Sequence, residues 1–273
     1  ADDTMVREAC FIPNFGPQSI LAESFRSLRT NIQFSALDKN IKSIVLTSAS
    51  PQEGKTSVAA NLAIAMAQAG SKTLLVDTDL RKPTLYRIFG VDASPGVTEL
   101  LLSNYDFSET VKTVADIMMG KISMDKIMLT PGVDNLHIVT CGTIPLNPAE
   151  LIQSQKFKSF IDEIQDQYDV VLMDTPPLIS AADASILAIN ADAVLLVYRA
   201  GKVARGILKR AKAQLEQVKA NIIGVVLNDV KAETSLDYDK YYQYYYYGKE
   251  PKKEKRKKEE KRERESHKLF RLF

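Results

Sequence analysis

"SIVLTSASPQEGKT" occupies Ser43–Thr56 and decides the fold. Its first six residues are almost all apolar or β-branched and read as a strand buried on both faces. The next eight, "ASPQEGKT", match the A/G-x4-G-K-S/T form of the Walker A motif. A helical period then runs from Gly54 to Gly70, where a glycine ends it. Strand, loop and helix in that order bring successive backbone N–H groups to bear on a phosphate. Gly54 lets the backbone approach closely, Lys55 reaches the β and γ phosphates, and Thr56 offers its hydroxyl to Mg²⁺. Gln52, Glu53 and Ser57 complete the expected nucleotide-binding segment. A chance loop with an exposed lysine would need neither the strand before it nor the helix after it.

Outward from the loop the same alternation continues. "KTLLVD" (Lys72–Asp77), "DVVLMD" (Asp169–Asp174), "AVLLVY" (Ala193–Tyr198) and "IIGVVLN" (Ile222–Asn228) are near-continuous apolar runs, and "NLHIVTC" (Asn135–Cys141) is a further candidate strand. Helical periods lie between them at Leu151–Gln167 and Val203–Lys219, with another before the core at Gln18–Phe34. The expected fold is α/β: a doubly wound, mostly parallel sheet of P-loop NTPase type flanked by helices. Leu102–Gly132 is less regular and reads as helical and peripheral.

Two acidic motifs end strands. "LLVDTDLR" carries Asp77, Asp79 and Arg81, and "VVLMDTPP" carries Asp174, a Walker B aspartate. The carboxyl ends of parallel strands are where such folds bind ligands. A lone strand-end Asp would read as a helix N-cap. Beside a Walker A, these acids read as Mg²⁺ handlers, since Mg²⁺ favours carboxylates and water. Two acids at Asp77 and Asp79 exceed one metal contact, and the spare one is a candidate general base.

Charge separates two regions. From Lys249 to Lys268 there are eleven Lys/Arg and six Glu, a net +5, so the rest sums to −3 of the chain's +2. A nucleic-acid footprint over the whole surface is not indicated. Two cysteines make no disulfide framework and fit a reducing compartment. No apolar run approaches the ~20 residues of a membrane span. Seven of eleven tyrosines crowd into "YDKYYQYYYYG": Tyr238, Tyr241, Tyr242, Tyr244, Tyr245, Tyr246 and Tyr247. Neither a strand nor a helix period fits them.

Taken together these motifs resemble the bacterial tyrosine kinases (BY-kinases), the cytoplasmic kinase domains of polysaccharide co-polymerase systems that make capsule and exopolysaccharide. The Walker A after a Thr-Ser pair, the Asp-x-Asp-x-Arg of "LLVDTDLRKP", the proline after Asp174, "GTIPLNPAEL" (Gly142–Leu151) and "ESFRSLR" (Glu23–Arg29) carry the resemblance, over about residues 18–248. Gln52 departs from the small residue usual there, and ATP binding is expected to survive. The resemblance implies ATP- and Mg²⁺-dependent phosphorylation of tyrosine. Lys55 would stabilise the transferred phosphoryl, Asp77 or Asp79 would be the base, and Thr56, Asp77 and Asp174 would hold the metal. Arg81 would contact phosphate or tie its loop down. Asn228 would read adenine or simply end its strand. Glu23, Arg26 and Arg29 would lie at a subunit interface in a ring, carrying one subunit's tyrosines to the next as substrate.

The implied partners are further copies of the chain, a transmembrane activator or co-polymerase domain (separate or fused upstream) and a cognate tyrosine phosphatase, with no nucleic acid. The implied location is the cytoplasmic face of the cell membrane. The expected organisation is an N-terminal extension (1–17), the kinase domain (18–237), the tyrosine cluster (238–248) and a charged tail (249–273). Three other readings make different predictions. A nucleotide-switched positioning ATPase would hydrolyse ATP without forming phosphotyrosine. However, proteins of that type carry a second loop lysine where this chain has Ser50. A non-catalytic assembly partner would be indifferent to Lys55→Met. A stacking platform for single strands would bind them in a salt-dependent way.

Overall fold

The computed structural model describes residues 19–36, 40–103, 105–119 and 131–230. The chain divides into two units, Ala1–Asn228 and Asp229–Phe273, and every element below belongs to the first. The N-terminal extension, the tyrosine cluster and the charged tail lie outside the described residues.

Helix α1 (Ile20–Ala36) precedes β1 (Ser43–Ser48), the phosphate-loop candidate and α2 (Lys55–Gln68). Then follow β2 (Thr73–Asp77), α3 (Leu85–Phe89), α4 (Val97–Leu102), α5 (Phe107–Thr110), β3 (Val111–Lys112), α6 (Val114–Met119) and β4 (Leu136–Val139). The rest is α7 (Pro148–Gln153), α8 (Gln155–Gln167), β5 (Val170–Asp174), α9 (Asp183–Asn190), β6 (Ala193–Arg199), α10 (Arg205–Gln217) and β7 (Ile222–Asn228). The sheet order is β3-β4-β2-β5-β1-β6-β7. Only the β3–β4 pairing among these is antiparallel.

The near-continuous apolar runs of β1, β2, β5 and β6 are explained by burial on both faces, whereas β7, at the edge of the sheet, leaves Val225 and Leu227 exposed. Along β1, Ile44 and Leu46 join one core with α1, α2 and α3, while Val45 joins the other with α8, α9 and α10. The same division runs through β2, β5 and β6: Leu75, Leu172 and Leu195 on the first side, Leu74, Val171 and Val194 on the second. Gly70, at φ 91°, closes α2 as expected: its N–H bonds the Ala67 carbonyl and that of Ser71 the Met66 carbonyl.

Two expectations change. The single helix over Leu151–Gln167 is two, because Ser154 leaves the helical conformation and caps α8, its hydroxyl oxygen accepting from the Phe157 N–H at 3.2 Å. The peripheral segment contributes not just helices but an edge strand, β3, paired through Val111 and Lys112. Its remainder through residue 130 lies outside the described residues.

Candidate functional site

Parallel strands end together, so the residues after β1, β2, β5, β6 and β7 share the sheet's carboxyl edge. The loop after β1 is shaped by contacts from the far strands. Glu53 is fully buried: one carboxylate oxygen accepts from the Ser50 N–H at 2.6 Å, the other from the Arg199 N–H at the end of β6 at 3.3 Å. The side chain thus shapes the loop, and its main chain is what it can offer a nucleotide. Asn228, ending β7, donates its amide to the Glu53 carbonyl at 2.8 Å. Gly54 sits at φ 86° under that amide, and a Cβ there would collide with it. Gln52 has φ 60°, and Lys202 reaches both its carbonyl (3.0 Å) and its side-chain oxygen (2.9 Å). Ser57 is half-buried in the first turn of α2.

Lys55 opens α2 and is almost fully buried. Its ammonium donates to Asp79 at 3.2 Å, to Asp174 at 3.3 Å and to the Thr56 hydroxyl at 3.2 Å. Burial works against its charge, but the Asp174 and Asp79 carboxylates outweigh that and hold its pKa above the ordinary value. Asp77 and Asp174 face each other in register on β2 and β5, both completely buried. Burial, and then the Asp174 charge, push Asp77 up to about 8. Its oxygens accept from the N–H groups of Asp79 (3.2 Å), Thr84 (3.2 Å) and Leu85 (3.1 Å), where α3 begins. Burial also pushes Asp174 up, with Lys55 pulling the other way.

Asp77, Asp79 and Asp174 set three carboxylates against the one ammonium of Lys55. Asp174 Oδ2 is buried without a hydrogen-bond partner among the described residues. A site short of positive charge, with an orphaned acid oxygen beside a threonine hydroxyl, fits Mg²⁺ held jointly with nucleotide phosphates. The described residues contain no group of three or more acid, His or Cys side chains able to hold a metal alone.

The structure brings Lys55, Thr56, Asp77, Asp79 and Asp174 into one cluster and sets Gln52, Glu53, Gly54, Ser57 and Asn228 around it. Arg81 is engaged elsewhere. It makes a two-pronged ion pair with Asp183 (2.7 and 3.2 Å), whose carboxylate is fully buried at the start of α9. On α1, Glu23 and Arg26 pair with each other at 2.6 Å, both half-exposed. Arg29 turns inward and donates to the Ala65 carbonyl of α2 at 3.0 Å. Asp183 and Lys202 were missed at the sequence level. An Asp opening a helix signals no more than a cap, and a glycine-flanked lysine signals a loop.

The chain matches the model of the AAA domain over residues 41–226. It is 38% identical to the tyrosine-protein kinase YwqD of Bacillus subtilis, across 82% of this chain and 88% of that protein. The fold superposes on the chimerical protein CapA2B2 with a TM-score of 0.72 at 35% identity, covering 81% and 90% of the two chains. It superposes on the kinase domain of the Escherichia coli tyrosine kinase ETK with a TM-score of 0.71 at 28% identity, covering 80% and 79%.

Proposed function

The chain belongs to the AAA domain family and, within it, to the bacterial tyrosine kinases, and from that premise we propose how this protein-tyrosine kinase works. The observation that carries the proposal is the Lys55 ammonium held between Asp79 and Asp174 at the start of α2, with Asp174 Oδ2 left unpartnered.

ATP binds with its phosphates against the main-chain N–H groups of Gln52–Ser57 and the positive end of α2. Asn228 borders the nucleotide at the edge of the loop. Lys55 leaves its two carboxylates for the phosphoryl oxygens, where charge develops. Thr56, Asp79 and Asp174 would hold Mg²⁺, which would offset the negative charge of the phosphates during transfer. The tyrosine oxygen bonds to the γ-phosphorus while the bond to the ADP oxygen breaks, and the phenol proton passes to a carboxylate. Asp77 is the stronger candidate for that base: Asp79 pairs with Lys55, whereas Asp77, facing Asp174 across the sheet, becomes a proton acceptor for a phenol of pKa ~10 once its own proton is displaced. Arg81 acts through its loop, tied by Asp183.

The acceptors are Tyr238, Tyr241, Tyr242, Tyr244, Tyr245, Tyr246 and Tyr247 of a neighbouring copy, delivered in trans within a ring-like homo-oligomer. Seven phenols on one segment need no fixed face. The kinase works at the cytoplasmic face of the membrane with a transmembrane co-polymerase partner, separate or fused upstream, and a tyrosine phosphatase opposes it. Through this cycle it regulates capsule or exopolysaccharide synthesis and export.

Incubation with Mg²⁺ and ATP, followed by phosphotyrosine mapping, tests the reading. Wild type should label Tyr238–Tyr247; Lys55→Met should abolish the label, and truncation at Asp237 should remove the acceptors. Lys55-dependent ATP hydrolysis without phosphotyrosine would overturn it in favour of a nucleotide-switched ATPase.

A further inference from the structure

Gln52 adopts a backbone conformation that disfavours any residue with a Cβ: its φ is 60°, in the left-handed region. It lies two residues before Gly54, inside the nucleotide-binding loop. Among the described residues, hydrogen bonds from the last residue of β6 and from the connection after it hold it. Lys202 donates to the Gln52 carbonyl at 3.0 Å and to its side-chain oxygen at 2.9 Å, and Arg199 Nη1 adds a longer bond to the carbonyl at 3.4 Å. Lys202 is exposed and 150 residues away in sequence. A lysine left to solvent would not gather the main-chain and side-chain oxygens of one strained residue. The Arg199 N–H simultaneously holds Glu53, so the end of β6 and the three residues after it grip two consecutive loop residues.

We infer that Lys202 is a positioning residue for the nucleotide site: its ammonium holds Gln52 in the left-handed conformation and so keeps the loop set to receive the phosphates of a nucleoside triphosphate. The inference rests on the kinase reading for its ligand, but the contact itself does not. Lys202 touches no atom of the acidic cluster in this arrangement, so its removal should weaken nucleotide capture and leave phosphoryl transfer from bound ATP alone. Glycine adopts the left-handed region without strain. With glycine at position 52 the loop no longer needs holding, and Lys202 becomes dispensable.

The test is a cycle of Lys202→Ala in the wild-type and Gln52→Gly backgrounds, read two ways on the full chain. The first is hydrogen exchange of the amides of Ser50, Gln52, Glu53 and Gly54 without nucleotide. Lys202→Ala should speed it ~3–10-fold in the wild-type background and barely at all beside Gln52→Gly. The second is Mg²⁺-ATP affinity and kinetics. Lys202→Ala should raise KM and the dissociation constant by a similar ~3–10-fold with kcat within about twofold, Lys202→Arg should recover most of the loss, and the effect should vanish beside Gln52→Gly. An equal effect in both backgrounds, a fall in kcat with KM unchanged, or no change in exchange would overturn the role. If wild type bound no nucleotide, the kinase reading would fall, while the exchange measurement, which uses none, would still decide whether Lys202 holds the loop.

Discussion

Asp77 and Asp79 are two residues apart, yet their surroundings give them different chemistry. Asp77 has no exposed surface and faces Asp174 across the sheet, so a proton stays on it far above the ordinary carboxylate value of 3.8, up to about 8. Asp79 faces Lys55 instead. The sign of the linkage follows. A folded-state pKa raised above the unfolded one gives stability that is complete below about 3.8 and is lost as the pH climbs through about 8. Nucleotide-free protein should therefore lose stability from this group as the pH rises from about 4 to about 8, and lose no more from it above that. Mg²⁺ seated with ATP at Asp79 and Asp174 would put a dication beside Asp77, lower its proton affinity and should release a substantial fraction of one proton per site at pH 7. Calorimetric titration in buffers of different ionisation enthalpy measures that release, which Asp77→Asn should abolish. Binding without proton release in wild type would show that Asp77 is already ionised and is not held as a base of raised pKa.

Between elements, the Arg81–Asp183 pair joins the loop after β2 to the first residue of α9. Its two ends differ: the Asp183 carboxylate is fully buried, while Arg81 is 42% exposed. Removing the arginine strands a buried charge, whereas neutralising the aspartate leaves a hydrogen bond to a partly solvated partner. Arg81→Ala should therefore cost about 1–3 kcal/mol, screened by the solvent at its exposed side, and Asp183→Asn less. The double variant should be less destabilised than Arg81→Ala alone, as urea denaturation of the three would show. This pair also marks the limit of what was legible in the sequence. The strands β1, β2, β5 and β6 could be read within a residue or so because two-sided burial demands unbroken apolar runs, and β7, an edge strand with Val225 and Leu227 exposed, because its apolar and β-branched run stops at a polar residue. Lys55, Asp77, Asp79 and Asp174 could be read because motif and strand end coincide. The break at Ser154 was hidden by a helical period that runs on across it. Strand β3, two residues long, has no period to read. The partners of Arg81 and Gln52 lie 102 and 150 residues away, where no local spacing can reveal them.

At the scale of the whole molecule, the question is which of Glu23, Arg26 and Arg29 a neighbouring copy could use. Arg29 is committed within the chain: through the Ala65 carbonyl it anchors α1 on α2. Glu23 and Arg26 are paired with each other three residues apart, half in solvent, and such pairs are worth only a few tenths of a kcal/mol. The Glu23–Arg26 ion pair is itself cheap to exchange for contacts with a neighbour, while Arg26 keeps a further interaction within the chain. Glu23→Ala with Arg26→Ala should thus reduce the oligomer seen by light scattering while the monomer's melting temperature changes little. Arg29→Ala should lower both. The chain outside Lys249–Lys268 carries −3 and that stretch +5, opposite signs that attract. Each phosphotyrosine adds roughly −1.5 to −2 charges, so about three would cancel the positive stretch and four would outweigh it. Repulsion among modified copies should then loosen the ring. Over a screening length of ~8 Å at physiological salt, the effect should be strong in dilute buffer and fade as salt is raised. A chain with Tyr→Glu at all seven clustered positions should shift to smaller species at low salt and recover at high salt. If it stayed as fully assembled as wild type at every salt concentration, phosphorylation would have to act on something other than the ring.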